Sequence, residues 1–141
     1  MEGRNSLKLG YIRQALAIGL MALSFVSCKH EGKIEMISAQ QVYDAIYGSD
    51  SLQLLDVRVP EAYQVSHLKS AQNICVSNPD FKEKAALLDK SKPVYVYCKG
   101  GGESAEAAKI LKKMGFVQVY DLQGGLTSWQ KEALPMDPGT P

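Results

Sequence analysis

Cysteine, histidine and tryptophan are scarce in this 141-residue chain, at three, two and one. The cysteines, Cys28, Cys75 and Cys98, include no CxxC pair, and His30 and His67 stand far apart. Paired-ligand zinc spacing therefore has no support, and no metal or cofactor is implied. Charge of one sign is missing too. Sixteen Lys and Arg face 15 Asp and Glu, leaving +1, with no basic stripe or acidic tail, which sets nucleic acid aside as a partner. No apolar run reaches the roughly 20 residues of a comfortable membrane span; the run 15–26 has about a dozen. Repeats and low-complexity segments are also lacking. What remains is a 45% apolar chain of a length that suits one domain.

The N-terminus reads as an export signal. Arg4, Lys8 and Arg13 form a positive region ahead of the apolar run, the arrangement of a secretory signal peptide. The run closes on Leu23-Ser24-Phe25-Val26-Ser27-Cys28, which resembles a bacterial lipobox with Phe25 where that motif usually has Leu. This reading makes residues 1–27 a lipoprotein-type signal peptide and Cys28 a lipid anchor on the periplasmic side of the cell envelope. An ordinary signal peptide cut nearby, or an uncleaved anchor, are the other readings. Loss of residues 1–27 would leave 13 basic and 14 acidic residues. Only Cys75 and Cys98 would then lie in the folded part, too few for a disulfide framework in an oxidising compartment.

Downstream, residues 28–32 read as a polar tether, and 34–37 alternate like a strand. Ser38 with Gln41 is a capping-box pattern that predicts a helix over 39–47. Residues 52–57 form an apolar strand with Asp56 and Arg58 at its end, and Pro60 starts a short helix to about Val65. A third strand is predicted over 71–76, a helix over 81–88, a strand over 94–97, a helix over 105–114 with Gly115 as its cap, a strand over 117–120 and a helix over 126–132. The Pro-rich end 135–141 reads as a disordered tail. Five alternations of strand and helix predict an open parallel α/β sheet with helices on both faces. Asp56 and Arg58, Cys98, and Gly124 with Gly125 all follow strands, so they converge on one edge, where such sheets bind ligands.

The stretch 94–104, VYVYCKGGGES, is the centre of this pattern. A strand ends on Cys98, three glycines follow, and Ser104 opens a helical sequence. Successive backbone N–H groups and the positive helix end then aim at one thiol, which favours an anion and a thiolate nucleophile. The competing reading is an inert core cysteine, since free cysteine is among the most buried types.

The motifs resemble the rhodanese-like domain of the sulfurtransferase family. Leu54-Leu55-Asp56-Val57-Arg58 with Pro60-Glu61 and Tyr63 is similar to its first signature, and Ser66-His67-Leu68 through Ala71-Gln72-Asn73-Ile74 to its GHIPGAINI stretch. Tyr97-Cys98 through Ser104-Ala105, Gly115-Phe116, Leu122-Gln123-Gly124-Gly125 and Trp129 resemble its second half. The resemblance covers about 33–134. It implies a five-stranded parallel sheet in the order 1-5-4-2-3. It also implies a Cys98 thiolate that takes a sulfane sulfur from a donor such as thiosulfate or a persulfide and passes it to a thiol or cyanide. Lys99, Gly100, Gly101, Gly102, Glu103 and Ser104 would bind substrate, the three glycines admitting the loop amides. Asp56 and Arg58 would support the loop.

The loop is too short for the C-x5-R pattern of phosphate-cleaving relatives, because Ser104 stands where arginine is required. A second departure bears on activity. Active rhodaneses commonly carry a cation near the loop's end, and this chain has Glu103. A carboxylate there disfavours a thiolate and repels thiosulfate, with Lys99 a partial offset. Glu103 therefore leaves open a binding or regulatory module with little turnover, although an acid in a first helical turn also complements the macrodipole. In the implied order Cys75 lies two strands from Cys98, about 9–10 Å away, too far for a disulfide without backbone movement. His67 and Trp129 read as structural, and His30 as solvated.

Overall fold

The computed structural model describes residues 32–139. The expected signal sequence, Cys28 as the expected anchor and His30 lie outside the described residues. Five strands form one sheet: β1 (Lys33–Ile37), β2 (Gln53–Asp56), β4 (Gln72–Asn73), β5 (Val94–Tyr97) and β6 (Gln118–Leu122), in the order β1-β6-β5-β2-β4 with every pairing parallel. Numbered along the chain within that sheet alone, the order reads 1-5-4-2-3. Two short strands, β3 (Ser66–His67) and β7 (Asp137–Pro138), pair antiparallel with each other outside it. The helices are α1 (Ala39–Gly48), α2 (Pro60–Val65), α3 (Phe81–Ala85), α4 (Gly102–Lys113) and α5 (Gly125–Lys131).

Adjacent strand residues serve opposite faces, and the sheet divides the core in two. Leu55, Val94, Val96 and Val119 pack with Ala107, Ala108 and Leu111 of α4 and with Phe81 and Ala85 of α3. Leu54, Tyr97 and Leu122 pack with Val42 and Ile46 of α1 and with Leu126 and Trp129 of α5. A strand covered on both faces needs apolar residues in succession, which is why 52–57 shows no alternation. Each fully buried leucine is costly to truncate. Leu111→Ala, for instance, would cost about 2–5 kcal/mol.

Helix α1 starts as its capping box predicts. Ser38 Oγ accepts from Gln41 N–H at 3.3 Å, and Gln41 Oε1 accepts from Ser38 N–H at 2.9 Å. Gly115, at φ 94°, ends α4 in the left-handed conformation.

The structure differs from the sequence-based expectation at several points. The third strand keeps only Gln72 and Asn73 in the ladder, although Ile74 N–H and Val76 N–H still donate to Asp56 and Val57 carbonyls at 3.0 Å. Helix α3 stops at Ala85 because Leu87 N–H and Leu88 N–H tighten into bonds with residues three back, Lys84 and Ala85. Strand β6 runs on through Asp121 and Leu122. Another difference is the C-terminal end. Over 135–139 it is held rather than loose: Trp129 Nε1–H donates to Pro135 O at 3.1 Å, β7 pairs with β3, and Gly139 N–H donates to Val65 O at 3.2 Å. The buried indole N–H needs an acceptor, and this segment supplies it. Likewise Gly32, expected in the tether, is buried so tightly that a Cβ would meet Phe116 O at 2.0 Å.

Candidate active site around Cys98

Strand β5 delivers Cys98 to the carboxyl edge of the sheet, and the chain turns at once into α4. The turn is closed at Gly101, the residue before the helix, at φ 105°. That value is open to glycine and strained for other residues. Gly101 N–H donates to Cys98 Sγ at 3.0 Å, so one amide of the loop already points at the sulfur. Ser104 is fully buried, with its Oγ 3.6 Å from Cys98 Sγ and 3.3 Å from Gly101 O. Cys98 itself is 1% exposed. The thiol therefore sits at the floor of the loop, beneath the amino end of a 12-residue helix whose macrodipole favours negative charge.

The other two loop glycines behave differently from the expectation that all three are needed for close approach. A Cβ on Gly100 or Gly102 would meet nothing within 4 Å. They leave their surroundings open rather than relieving a clash. Lys99 and Gly100 are exposed, and Glu103 is half-buried in the first turn of α4. Among the described residues, neither Lys99 nor Glu103 enters an ion pair.

The amino end of α5 holds the loop from below. Leu126 N–H donates to Cys98 O at 2.9 Å, while Thr127 N–H and Oγ1–H both donate to Lys99 O at 3.0 Å. This contact requires Gly124 and Gly125, at φ 73° and 57°, to turn the chain under the loop. Thr127 was not picked out from the sequence, because nothing local marks a threonine that reaches 28 residues back.

Asp56 and Arg58 form a buried pair beside the loop rather than in it. Arg58 Nε donates to Asp56 Oδ1 at 2.9 Å, and Nη2 donates to Asp56 Oδ2 at 2.5 Å and to Ser66 O at 2.8 Å. Burial is the largest single influence and works against the Arg58 charge, but the Asp56 hydrogen bond and charge, with Tyr97, together outweigh it and leave the guanidinium above its usual range. The Arg58 guanidinium lies 5.9 Å from the Tyr97 ring centre. Burial, and then the nearby Asp56 charge, push the Tyr97 phenol far up, so its OH stays neutral and accepts from Leu68 N–H at 3.0 Å. Asn73 Nδ2–H donates to Asp56 O at 3.0 Å and to Arg58 O at 2.9 Å. The pair thus ties β2, β4 and the β3 region to the strand that carries Cys98, with its charges already spent on one another.

His67 Nδ1 lies 3.1 Å from Tyr63 O, and its ring stacks on Tyr63 at 4.0 Å, a structural placement. Cys75 and Cys98 are both buried and free. A second residue escaped the sequence reading. Asp121, on β6, is 3% exposed, and its Oδ1 has no hydrogen-bond partner. Burial pushes its carboxyl up, and the hydrogen-bonding Ser104 side chain pulls only partly the other way. A lone acid inside the apolar run Val119-Tyr120-Asp121-Leu122 was the available signal. A separate cavity of about 340 Å³, lined by Asp44, Gly48, Leu52, Lys92, Pro93 and Tyr95, lies at the opposite strand ends and holds none of these residues.

A buried thiol under a helix end, within a short glycine loop at the carboxyl edge of an α/β sheet, is the arrangement that the sequence resemblance implies. The profile of the rhodanese-like domain matches residues 38–132. The chain belongs to the rhodanese-like domain family.

Its relatives include the thiosulfate sulfurtransferase PspE of Escherichia coli, 40% identical over 70 residues, covering 50% of this chain and 67% of PspE. The thiosulfate sulfurtransferase GlpE of Vibrio cholerae is 35% identical over 85 residues, covering 60% of this chain and 77% of GlpE. The probable adenylyltransferase/sulfurtransferase MoeZ of Mycobacterium tuberculosis is 35% identical over 99 residues; these cover 70% of this chain and only 25% of MoeZ. Among solved structures, a rhodanese-related protein from Thermoplasma volcanium superimposes with a TM-score of 0.64 at 30% identity, covering 73% of this chain and 97% of that one.

Proposed function

We propose that the chain is a sulfurtransferase that carries a sulfane sulfur on Cys98. The observation that supports it best is the Gly101 N–H aimed at Cys98 Sγ at 3.0 Å, under the helix end. The Cys98 thiolate attacks the outer sulfur of thiosulfate. A Cys98–S bond forms, the outer S–S bond of the donor breaks, and sulfite leaves with the electron pair of that bond. The product is a Cys98 persulfide anion. A thiolate or cyanide then attacks its terminal sulfur and leaves with it, regenerating the Cys98 thiolate. Both halves conserve charge and need no oxidant. The Gly101 amide and the α4 dipole offset negative charge on the sulfur. Open space beside Gly100 and Gly102 receives the added atom. Asp56 and Arg58 hold the end of β2 against β5 and take no part in the chemistry.

Intact-mass spectrometry after incubation with thiosulfate tests this reading. One added sulfur, mapped to Cys98 and discharged by cyanide, is the expected result. No gain from thiosulfate or from a persulfide donor would overturn it and favour a rhodanese-like binding or regulatory module. Glu103, unpaired at the rim, motivates that second reading.

The same proposal places the domain at a membrane surface. Residues 1–27 would be removed as a lipoprotein-type signal, leaving lipidated Cys28 as the anchor on the periplasmic side. Metabolic labelling with a fatty-acid probe, lost in Cys28→Ser, is the corresponding test.

A further inference from the structure

A buried carboxylate beside a nucleophilic thiol demands an explanation, because burying an acid without full hydrogen bonding is costly. Asp121 lies on β6 at the register position of Val96, two residues before Cys98 on the neighbouring strand. Its other strand neighbour is Met36 of β1. Both are apolar. From α4, the Ser104 hydroxyl is the side chain that acts on its charge, and neither Lys99 nor Glu103 contributes. Ser104 in turn is fully buried and 3.6 Å from Cys98 Sγ. In the structure that hydroxyl donates to Gly101 O at 3.3 Å, and Oδ1 of the buried carboxyl has no hydrogen-bond partner, so the Ser104 hydroxyl is the group that an ionised Asp121 can draw away from Gly101.

We propose that Asp121 is a positioning residue that sets the direction of the Ser104 hydroxyl, so that Asp121 and Cys98 share a single negative charge. This rests on Cys98 being the reacting group of the proposed function. When Asp121 is ionised, Ser104 Oγ–H turns toward it, and the Oγ lone pair accepts from the Cys98 thiol. When Asp121 is protonated, it donates to Ser104 Oγ, and Ser104 donates to the Cys98 thiolate. Between the two arrangements the Cys98 proton moves to Ser104 Oγ and the Ser104 proton moves to Asp121. The total charge stays at minus one, and no bond other than those to hydrogen changes. Two anions on either side of one hydroxyl repel, so an ionised Asp121 holds Cys98 as a thiol. The device makes the nucleophile's readiness depend on a residue that never meets the substrate.

The test is the pH profile of Cys98 alkylation by iodoacetamide in the full chain, read by peptide mass so that Cys28 and Cys75 are counted apart. The midpoint for Asp121→Asn is expected about one pH unit below wild type. In a Ser104→Ala background, the same substitution is expected to move it by less than half as much. Superimposed profiles for wild type and Asp121→Asn would overturn the proposal. So would an undiminished shift without Ser104, which would indicate a bare charge effect. A second measurement needs no change at Asp121. The 13C-carboxyl resonance of Asp121 is expected to titrate in two steps in wild type and in one step in Cys98→Ser; one step in both would sink the idea. Alkylation needs no sulfur donor, so failure to load sulfur would strike the proposed function and leave this result standing.

Discussion

Gly125 lies directly against the backbone of Cys98: a Cβ at Gly125 would sit 2.4 Å from the Cys98 carbonyl oxygen and 2.8 Å from Lys99 O. Two elements distant in sequence, the glycine pair before α5 and the loop after β5, are packed backbone to backbone. Gly125→Ala adds both that clash and a left-handed φ of 57° to a residue with a Cβ. We expect it to cost on the order of 1–3 kcal/mol and to lose most sulfur loading, since Cys98 O and Lys99 O lose their donors. Gly48→Ala, at the end of α1 and outside the loop, is the control. Its Cβ meets nothing within 4 Å, so stability and loading are expected to match wild type in thermal unfolding and intact mass.

Cys98→Ser is expected to abolish sulfur loading and to leave the unfolding midpoint close to wild type, because oxygen replaces sulfur in a site that already supplies an N–H donor. Cys75→Ser should load sulfur at an undiminished rate, since that buried thiol is unbonded to Cys98. Retained turnover in Cys98→Ser would remove the nucleophile from the proposal.

Breaking the Asp56–Arg58 pair affects stability first. Arg58→Met leaves Asp56, which is fully buried, without its guanidinium partner, a loss of about 3–5 kcal/mol. Replacing both, as Asp56→Leu with Arg58→Met, should recover much of that loss. Urea unfolding of the three proteins measures the cycle. A double variant as unstable as Arg58→Met would show that the pair's bonds to Ser66 O and Arg58 N–H matter more than its charge.

Asp121 carries a pH signature in stability. Its folded-state carboxyl titrates above the value it has in the unfolded chain. Such a group stabilises the fold fully below the unfolded value, and the contribution is lost as pH rises through the folded value. Asp121→Asn has no such loss. The variant is expected to match wild type near pH 3 and to become progressively the more stable of the two toward pH 7, in urea midpoints across that range. A constant offset at every pH would mean that the asparagine changes packing rather than charge.

Much of this was legible in the sequence for physical reasons that differ by residue. Val94-Tyr95-Val96-Tyr97 and the glycines after Cys98 are local signals: pattern for the strand, conformational freedom for the turn. Ser38 and Gln41 cap their helix within three residues. Asp121 was invisible because a charge normally ends an apolar strand, so the strand was read as stopping at Tyr120. The C-terminal segment was misread because its prolines suit disorder. Only the fold shows the Trp129 indole that needs Pro135 O and the β3 edge that Asp137–Pro138 covers. Loop glycines look alike in sequence. The geometry separates Gly101, held at positive φ, from Gly100 and Gly102, which are simply uncrowded.

Under the proposed function, Glu103 is expected to set how well the site takes an anionic donor. It sits half-buried in the first turn of α4, five residues after the nucleophile, with no cation paired to it. Thiosulfate carries two negative charges, so a unit charge at the rim opposes its approach by about 1 kcal/mol, and reversing that charge turns the penalty into attraction. Glu103→Arg is therefore expected to raise kcat/KM for thiosulfate about tenfold at low salt, chiefly through KM. Added salt separates charge from shape. Screening should improve wild-type kcat/KM and reduce that of the arginine variant, so the two converge as ionic strength rises toward about 1 M. A neutral persulfide donor feels little of this and should distinguish the two proteins weakly. If the arginine variant gains nothing with thiosulfate at any ionic strength, the carboxylate is not what limits turnover.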